Sequence, residues 1–360
     1  MAYTTIDDPT AYFQTKTYTG SAGAQSITFD GNSDLQPDWI WIKERGAAGG
    51  HVVTDTVRGI SASSAPFLQP SATGVEIDGN GTVANRTLTS SNTNGFTLGQ
   101  DAYYTNFNNN SDTYVSWNWK AGTSFTNDAS STSVGTIDST GSVNTDAGFS
   151  IVKWVGTASN ATIAHGLGTT PSVFISKSMV GTHSWGVYHK SIGIGSTTLL
   201  NSSGASDADA TYYGGTSPTS TIMGLGTANA ANASGNMIGY AFAEKQGYSK
   251  FGGYTGNGDA DGTFVYTGFK PAFVLIKRTD AVTYWVIIDN KRDPFNVSGH
   301  RLFPNRTDAE ADETDIDFTA QGFKIRTTSA TYNASGGSYI YMAFAENPFV
   351  TSTGVPATAR

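Results

Sequence analysis

The sequence predicts an all-β fold, built as three tandem β-sandwich (jelly-roll-like) modules of about 100 residues each. The apolar residues include 17 Tyr, 19 Phe and 7 Trp, and aromatic side chains fit a pleated sheet better than a helix. The 42 glycines supply the conformations that tight turns need. Only 14% of the residues are charged, whereas surface helices normally carry a charged outer face. A pattern that occurs three times completes the argument.

The recurring pattern is an apolar run with Pro at its start and Lys six positions later. It occurs at Pro37–Lys43, Pro171–Lys177 and Pro271–Lys277. A Pro that opens a strand removes no ladder hydrogen bond, and an unbroken apolar run indicates a strand covered on both faces. We therefore predict a central strand in each copy, with the lysine ammonium extending into water at its end.

Two further matches surround each of these strands. A polar residue twelve positions after the lysine closes a second strand, at Asp55, His189 and Asp289, and the two strands are predicted to form a hairpin. Each copy ends in an aromatic strand, and these strands are Tyr114–Trp119, Met237–Glu244 and Tyr339–Glu346. Matched residues report what the fold needs, so we expect them to be core and turn positions. Function is then to be sought where the copies differ.

The spacing of the repeats sets the boundaries of the modules. Pro171 and Pro271 are 100 positions apart, whereas Pro37 and Pro171 are 134 apart. The extra length falls in a stretch rich in Ser, Thr, Gly and Asp, which is typical of a linker or a long surface loop. The predicted segments are an N-terminal segment at 1–12, module 1 at 13–121, a linker or loop at 122–148, module 2 at 149–246, module 3 at 247–349 and a C-terminal tail at 350–360.

Charge and cysteine content argue against several kinds of partner. The formal net charge is −8 and the sequence pI is near 5.0, whereas nucleic-acid and anionic-membrane surfaces need clustered Lys and Arg. The sequence has no cysteines, so disulfides and thiolate metal sites play no part. No run approaches the ~18 apolar residues of a membrane span, and the first residues lack the pattern of a signal peptide. We expect synthesis in the cytoplasm, no nucleic-acid partner and no membrane insertion.

The five histidines form no recognisable site in the sequence. They are His51, His165, His183, His189 and His300. His183 and His189 fall in one predicted hairpin, but no carboxylate pattern brackets them as a metal site would require. His165 follows a turn pattern and is not expected to act as a base. We assign none of the five to a metal.

The densest negative charge lies between residues 308 and 317. The acidic residues of this segment are Asp308, Glu310, Asp312, Glu313, Asp315 and Asp317. Hard oxygen ligands at such short spacing can hold Ca²⁺, but the EF-hand spacing with its central Gly is absent. The alternative is a solvated acidic loop. Asp259–Gly262 presents the same choice, and there an Asp-Gly turn is the alternative.

Motifs of known catalytic chemistry are missing from the sequence. It contains no Gly-x-Ser-x-Gly elbow, no phosphate-binding Gly-rich loop that ends in Lys, and no zinc signature. A pair of carboxylates for glycoside cleavage stays open, because the separation of two acids cannot be read from a sequence. We predict a protein that is not an enzyme, with no catalytic, cofactor-binding or metal-binding residue assigned.

Several runs resemble a family of repeat-containing virion proteins of marine bacteriophages, including cyanophages. The runs are Thr4–Pro9, Leu35–Lys43, Tyr254–Gly258, Thr267–Val274 and Tyr339–Phe349, and the resemblance extends over nearly the whole chain. It implies a tail-fibre-like or structural component of the phage particle, made in the host cytoplasm and located in the virion. The family carries no catalytic motif to transfer. The middle copy departs most from the pattern.

The leading hypothesis is a tail-fibre, tail-associated or surface adhesin protein that binds host-surface glycans. Recognition usually resides in variable loops, where aromatic side chains can stack on sugar rings. The candidates are Tyr103, Tyr104, Phe107, Tyr212 and Tyr213. The alternative for these residues is packing against a neighbouring subunit.

A second hypothesis is a purely structural role, as a capsid decoration or a tail nozzle accessory protein. Exposed β edges suit permanent packing against partners. A third hypothesis is a polysaccharide-degrading tailspike. We expect other virion proteins as partners and a homo-oligomer, because virion parts lie on symmetric platforms. Three modules in one chain can also stand in for three subunits around a local three-fold axis.

Overall fold

In the described part of the chain, the regular secondary structure is almost entirely antiparallel strand. The computed structural model describes residues 2–60, 65–78, 87–100 and 107–357. Helices within these ranges are one 3-10 turn at Pro9–Ala11 and three α-helices of four residues each. None of the described helices is long and apolar enough to cross a membrane. The all-β prediction is confirmed.

Strands and helices are numbered in chain order. Those within residues 13–121 are β1 (Phe13–Thr19), β2 (Gln25–Ile27), β3 (Trp39–Glu44), β4 (Val52–Asp55), β5 (Leu88–Asn92), β6 (Gly95–Leu98) and β7 (Thr113–Trp119). Those within 122–246 are β8 (Thr123–Asn127), α1 (Ala129–Thr132), β9 (Ser139–Asn144), β10 (Phe149–Gly156), β11 (Ala161–Ala164), β12 (Val173–Ser178), β13 (Gly186–His189), β14 (Thr198–Leu199), β15 (Ile222–Leu225), α2 (Asn229–Asn232) and β16 (Gly235–Phe242). Those within 247–349 are β17 (Ser249–Thr255), β18 (Phe264–Tyr266), β19 (Phe269–Arg278), β20 (Val286–Asp289), β21 (Ser298–Arg301), β22 (Ala311–Thr319), β23 (Gly322–Ile325), α3 (Ala330–Asn333) and β24 (Ser338–Pro348).

One sheet order occurs three times along the chain. The orders are β1-β7-β3-β4, then β10-β16-β12-β13 within a seven-stranded sheet, then β17-β24-β19-β20. In each, the first strand pairs with the last, and the last pairs with the Pro–Lys strand. A smaller sheet accompanies each large one, with the orders β2-β6-β5, β11-β15 and β18-β23-β22-β21. This recurrence supports our interpretation of three sandwich modules, and we keep the predicted ranges as their names.

The strand registers show which residues of the three modules are equivalent. On the last strands, the residues that pair with the start of the Pro–Lys strand are Trp119, Phe242 and Phe344. The ring centroids lie 6.5 Å apart for Trp119 and Phe242, 5.5 Å for Trp119 and Phe344, and 5.9 Å for Phe242 and Phe344. Three equivalent rings in mutual contact indicate a local three-fold axis through the centre of the molecule.

Each large sheet is apolar on both faces. In β3, Ile40 and Ile42 face the core of module 1, whereas Trp39 and Trp41 face a core shared by all three modules. The alternation arises because successive side chains of a strand point to opposite faces. β12 and β19 alternate in the same way. The molecule therefore has three module cores around one common core. Each Pro–Lys strand is covered on both faces, as its unbroken apolar run predicts.

Neighbouring modules are joined by one backbone hydrogen bond that is repeated around the axis. Each bond is 2.8 Å long, and the three run from Glu76 N to Met179 O, from Ser206 N to Thr279 O and from Glu310 N to Arg45 O. The first joins module 1 to module 2, the second joins module 2 to module 3, and the third joins module 3 to module 1. The contacts between modules thus close into a ring within one chain.

The lysines that end the Pro–Lys strands are buried, and the prediction that they extend into water is wrong. Lys43, Lys177 and Lys277 are each 0% exposed. The Nζ of Lys177 donates to Ser178 O at 2.8 Å and to Thr73 O of module 1 at 3.2 Å. Burial lowers the pKa of each of the three lysines to about 8. Backbone carbonyls of the strand ends and of nearby loops hold the ammonium groups inside, because they replace the hydrogen bonds that water would accept.

The predicted linker at 122–148 is mostly regular structure, which corrects that part of the interpretation. β9 pairs with β10 in a register that begins with Asn144 opposite Phe149 and ends with Ser139 opposite Trp154. β8 pairs with the other edge of β9. Its Thr and Val residues favour a strand, although the Ser and Gly content is typical of a loop. A Cβ at Gly141 would lie 2.0 Å from Ile151 O, so the glycine serves close strand contact and not flexibility.

The two terminal segments also pack onto the modules. Ile6 of the N-terminal segment lies in the common core. In the C-terminal tail, Ser352 N donates to the Asp7 carboxylate at 2.6 Å. The described part of the tail is therefore tied to the N-terminal segment.

Candidate functional site

A groove of about 440 Å³ lies beside β1, between module 1 and module 3. One wall is formed by β1 and the loop that follows β2, and the other by the turn that follows β20. Its lining includes Gln14, Thr15, Asp30, Asn290, Lys291 and Phe295. We call it the β1 groove. Its size falls within the usual range of ligand-binding clefts.

The charged side chains of the β1 groove are paired. Asp30 accepts from Lys16 at 3.1 Å and from Lys291 at 2.8 Å. Glu346 forms an ion pair with Lys270 at 2.6 Å. Burial acts to raise the pKa of Asp30, but the two lysines outweigh it and hold that pKa below its usual value. Each of the two carboxylates is therefore matched by at least one lysine, and Asp30 is ionised.

An anchored loop holds Phe295 at the rim of the groove. The Phe295 side chain is 83% exposed. Asp293 accepts from the backbone N–H of His300 at 2.7 Å, and Asn296 exchanges two hydrogen bonds of 2.8 and 2.9 Å with the backbone of Phe318. Because its neighbours are fixed, the loop presents an aromatic ring to solvent from a defined position.

A second aromatic surface covers the outer face of β18. Val265 is buried in the core of module 3, so its neighbours Phe264 and Tyr266 point to solvent, where they are 47% and 55% exposed. In the strand register, Lys324 of β23 lies opposite Phe264, and Asp317 of β22 lies opposite Lys324. The side chains of Lys324 and Asp317 are half-buried, and we call the set of four residues the β18 face. It combines two rings with two charged side chains on one rigid sheet.

Every large aromatic side chain that is exposed in the described part of the chain belongs to module 3. These side chains are Phe264, Tyr266, Tyr284 and Phe295. Strand registers and spacing identify the matched residues of modules 1 and 2. Phe264 matches Ser26 and Thr162, and Tyr266 matches Thr28 and Ala164. Tyr284 matches Gly50 and Ser184, and Phe295 matches Ser61 and Gly195. The shared fold thus does not require rings at these positions, and they mark where module 3 differs.

The aromatic residues chosen from the sequence as sugar-stacking candidates are not the exposed ones. Phe107 and Tyr213 are buried in module cores, and Tyr212 is half-buried against one of them. These three are therefore corrected to core positions. Tyr103 and Tyr104 lie outside the described residues. Loop location alone was the wrong criterion, because Phe107 and Tyr213 lie in loops and yet have buried side chains.

The histidines serve mainly as packing residues. His51, His165 and His189 are buried, and burial lowers the pKa of His165 and His189 to about 4. His183 and His300 are partly exposed. Within the described ranges, no three His, Asp or Glu side chains are grouped to hold a metal ion.

The acidic segment 308–317 is largely strand β22, not the solvated loop considered from the sequence. Successive side chains of a strand point to opposite faces, so the carboxylates do not converge on one point. Arginines pair with most of them, and the pairs are Arg306–Asp308, Arg45–Glu310, Arg292–Glu310, Arg301–Glu313, Arg301–Asp315 and Arg326–Asp317. Burial raises the pKa of Asp315 to about 6. This arrangement gives no support to the Ca²⁺ alternative.

The other acidic candidate, Asp259–Gly262, forms a turn. Asp259 accepts from the backbone N–H of Asp261 at 2.9 Å, and the Asp261 carboxylate pairs with Lys324 at 2.5 Å. Such a bond from an Asp side chain to the backbone two residues on is typical of a turn. The carboxylates are thus used within the protein.

Neither surface was predicted from the sequence. The β1 groove joins segments that are about 260 residues apart in the chain, as the Lys291–Asp30 pair shows. For the β18 face, the sequence did contain a usable signal. When the three copies are aligned, module 3 has aromatic residues at positions where the other two copies have small residues.

The chain belongs to a family whose function is unknown. The family model described as a domain of unknown function (DUF7483) matches residues 8–348, a span that includes all three copies of the large sheet. Among curated proteins, none is significantly similar to the chain. Family membership therefore carries no activity.

Proposed function

We propose that this member of the DUF7483 family is a non-enzymatic bacteriophage virion protein, tail-associated or exposed on the particle surface, that binds host-surface glycans through module 3. The phage setting rests on the resemblance of five sequence runs to virion proteins. The observation that carries the binding role is the set of four exposed rings in module 3, at positions where modules 1 and 2 have small residues.

The β18 face has the chemistry that a glycan needs. The faces of Phe264 and Tyr266 can pack on the C–H faces of sugar rings, because an aromatic face carries partial negative charge. Lys324 lies opposite Phe264 and Asp317 lies one strand further, opposite Lys324, and both can bond to hydroxyl groups. A sheet holds these side chains with little freedom to lose, which favours binding.

The charges of the β1 groove support binding over hydrolysis. Glycoside cleavage needs one carboxyl group that keeps its proton until it donates it. Lys16 and Lys291 instead hold the pKa of Asp30 below its usual value, and Glu346 is paired with Lys270. The tailspike hypothesis therefore gains no support at the groove.

The test is binding of the purified protein to host lipopolysaccharide and to a panel of its glycans. The double variant Phe264→Ser with Tyr266→Thr gives module 3 the residues that module 1 has at Ser26 and Thr28. We expect it to lose at least ten-fold in affinity, which corresponds to about 1.4 kcal/mol.

The matched control is Val282→Thr, which removes an exposed apolar side chain elsewhere in module 3. It should leave glycan affinity unchanged. Absence of binding by the wild-type protein at high micromolar concentration would contradict the adhesin role. Release of reducing sugar from the polysaccharide would contradict the non-enzymatic assignment.

A purely structural role is the second candidate, and the ring of contacts between modules favours it. One chain already supplies three similar lobes around one axis, which suits a three-fold position on a particle with other virion proteins as partners. Antibody labelling of particles viewed by electron microscopy separates the two roles. Label at the distal end of a fibre supports the adhesin, and label over the capsid or tail body supports decoration. Mass measurement of the isolated protein tests the expected homo-oligomer.

A further inference from the structure

The β1 groove lies where module 2 has an additional strand. β1 and β10 are equivalent, because Phe13 and Phe149 pair with the matched residues Trp119 and Phe242. β10 has β16 on one edge and β9 on the other, whereas β1 is the terminal strand of its sheet. The outer edge of β1 is therefore the counterpart of an edge that is paired in module 2.

The first wall of the groove matches residues that pair with β9. Gln14 and Thr15 of β1 correspond to Ser150 and Ile151 of β10. In module 2 those two residues pair antiparallel with Val143 and Ser142 of β9. The groove thus runs along the edge to which an added strand would bind.

The second wall also has its counterpart beside β9. Asn290 and Lys291 follow Asp289 as Thr56 and Val57 follow Asp55. Thr56 and Val57 border a cleft whose other side includes Gly141 of β9. The space between β1 and the turn after β20 is therefore the space that β9 and β8 fill in module 2.

In module 3 the equivalent edge is closed in a different way. The carboxylate of Glu244 accepts from the backbone N–H of Phe251 on β17 at 2.8 Å and pairs with Lys190 at 2.7 Å. Further along, a Cβ on Gly253 would lie 3.4 Å from the Cβ of Ser191. The three matched edges are thus paired with a strand in module 2, covered by side chains in module 3, and bordered by a groove in module 1.

We propose that the β1 groove binds an extended strand of a different polypeptide, which pairs antiparallel with β1 as β9 pairs with β10. An edge strand presents backbone N–H and C=O groups to such a partner. The bound strand is rich in Ser, Thr and Gly, because β9 has this composition and Gly141 has no room for a side chain. It is largely uncharged, because Asp30 and Glu346 are already neutralised by lysines. This inference does not depend on glycan binding.

The test uses a fluorescent synthetic peptide with the sequence of residues 138–145, added to the intact protein. We expect saturable binding by fluorescence anisotropy and slower amide hydrogen exchange in β1. The control peptide has proline at positions 141 and 142. Donors of adjacent residues point to opposite edges of a strand, so one of the two prolines removes a ladder donor whichever edge pairs. It should not bind.

A variant of the protein blocks the groove from the other side. Asn290→Trp fills the groove, and its urea midpoint shows whether the fold is kept. We expect it to lose peptide binding, whereas Val282→Thr retains it. Three results would overturn the proposal: no binding of the peptide up to millimolar concentration, protection that maps to β10 instead of β1, or self-association of the wild-type protein that Asn290→Trp abolishes. The last result would assign the groove to a second copy of the chain.

Discussion

Trp117 of module 1 donates its indole N–H to the carboxylate of Asp289 in module 3, at 2.9 Å. The matched contact joins modules 2 and 1, where the Tyr240 hydroxyl donates to Asp55 at 2.8 Å. Both carboxylates are buried and each is also paired with an arginine three positions later. Polar contacts at matched positions therefore stabilise the common core, in addition to aromatic packing.

At the third junction, between modules 3 and 2, both partners of this contact are different residues. His189 lies where the others have Asp, and its ring approaches Tyr341 O at 3.2 Å. Met342, which has no donor, lies where the others have an indole or a phenol. Ile192 lies where the others have the arginine. The loss of the donor, the carboxylate and the arginine together keeps this junction free of an unpaired buried charge.

Removing the hydrogen-bond donor at one junction tests how much these contacts contribute to the free energy of unfolding. Tyr240→Phe leaves the shape of the side chain and deprives the buried Asp55 carboxylate of a hydrogen bond. We expect a loss of about 1–3 kcal/mol in the free energy of unfolding. The control is Tyr248→Phe, whose buried hydroxyl has no hydrogen-bond partner and should cost little. Equal urea midpoints for the two variants would contradict the role of the contact.

Giving the third junction a carboxylate tests whether the three positions are equivalent. His189→Asp places a buried negative charge beside a carbonyl oxygen and a methionine, so we expect a loss of about 3 kcal/mol or more. Adding Ile192→Arg recreates the Asp–Arg pair of the other modules and should recover part of this loss. Thermal unfolding measures both. A double variant no more stable than the single one would argue against the equivalence.

Matched glycines at the end of the first strands provide a third test. A Cβ would lie 2.1 Å from Asn109 O at Gly20, 2.0 Å from Ala233 O at Gly156, and 2.3 Å from Ala334 O at Gly256. Gly156→Ala must displace backbone, and we expect a loss of about 1–3 kcal/mol. Gly74→Ala is the control, because nothing lies within 4 Å of its Cβ position. Urea denaturation of both variants decides whether this close approach is required.

The buried lysines predict a particular dependence of stability on pH. Burial lowers the pKa of Lys177 to about 8 from its usual value of 10.5, so between these pH values the unfolded chain binds more protons than the folded one. Stability should therefore rise with pH above about pH 8. Lys177→Met should make the rise smaller. Urea midpoints at about pH 7.5, 8.5 and 9.5 measure this, because these pH values cover the lower part of the interval between the two pKa values. A flat profile in the wild-type protein would contradict the burial of these ammonium groups.

Much of the fold could be predicted because the sequence repeats it. The apolar runs that start at Pro37, Pro171 and Pro271 indicated strands covered on both faces, and all three are. What the pattern could not show is that the second face of each packs against the other two modules. That contact depends on residues more than 100 positions apart, such as Trp119 and Phe242.

The errors have physical causes that can be named. Lysines such as Lys277 were expected in water, but its Nζ donates to Ser203 O of a module 2 loop and to Arg278 O at the end of β19. Phe107 and Tyr213 were expected to be available on loops for sugar stacking, but their side chains are buried in module cores. The exposed rings were missed because Phe264 and Tyr266 fall in a strand, where alternation makes one face of β18 solvent-exposed.

The common core is tested most directly by equilibrium urea unfolding of the whole chain, followed by tryptophan fluorescence and by far-ultraviolet circular dichroism. Trp39, Trp117 and Trp119 report on the common core, whereas the dichroism reports on strands of all three modules. Because the modules share this core, we predict one transition with the same midpoint by both methods. Separate transitions, or a fluorescence change that precedes the loss of strands, would contradict a single body built around one core.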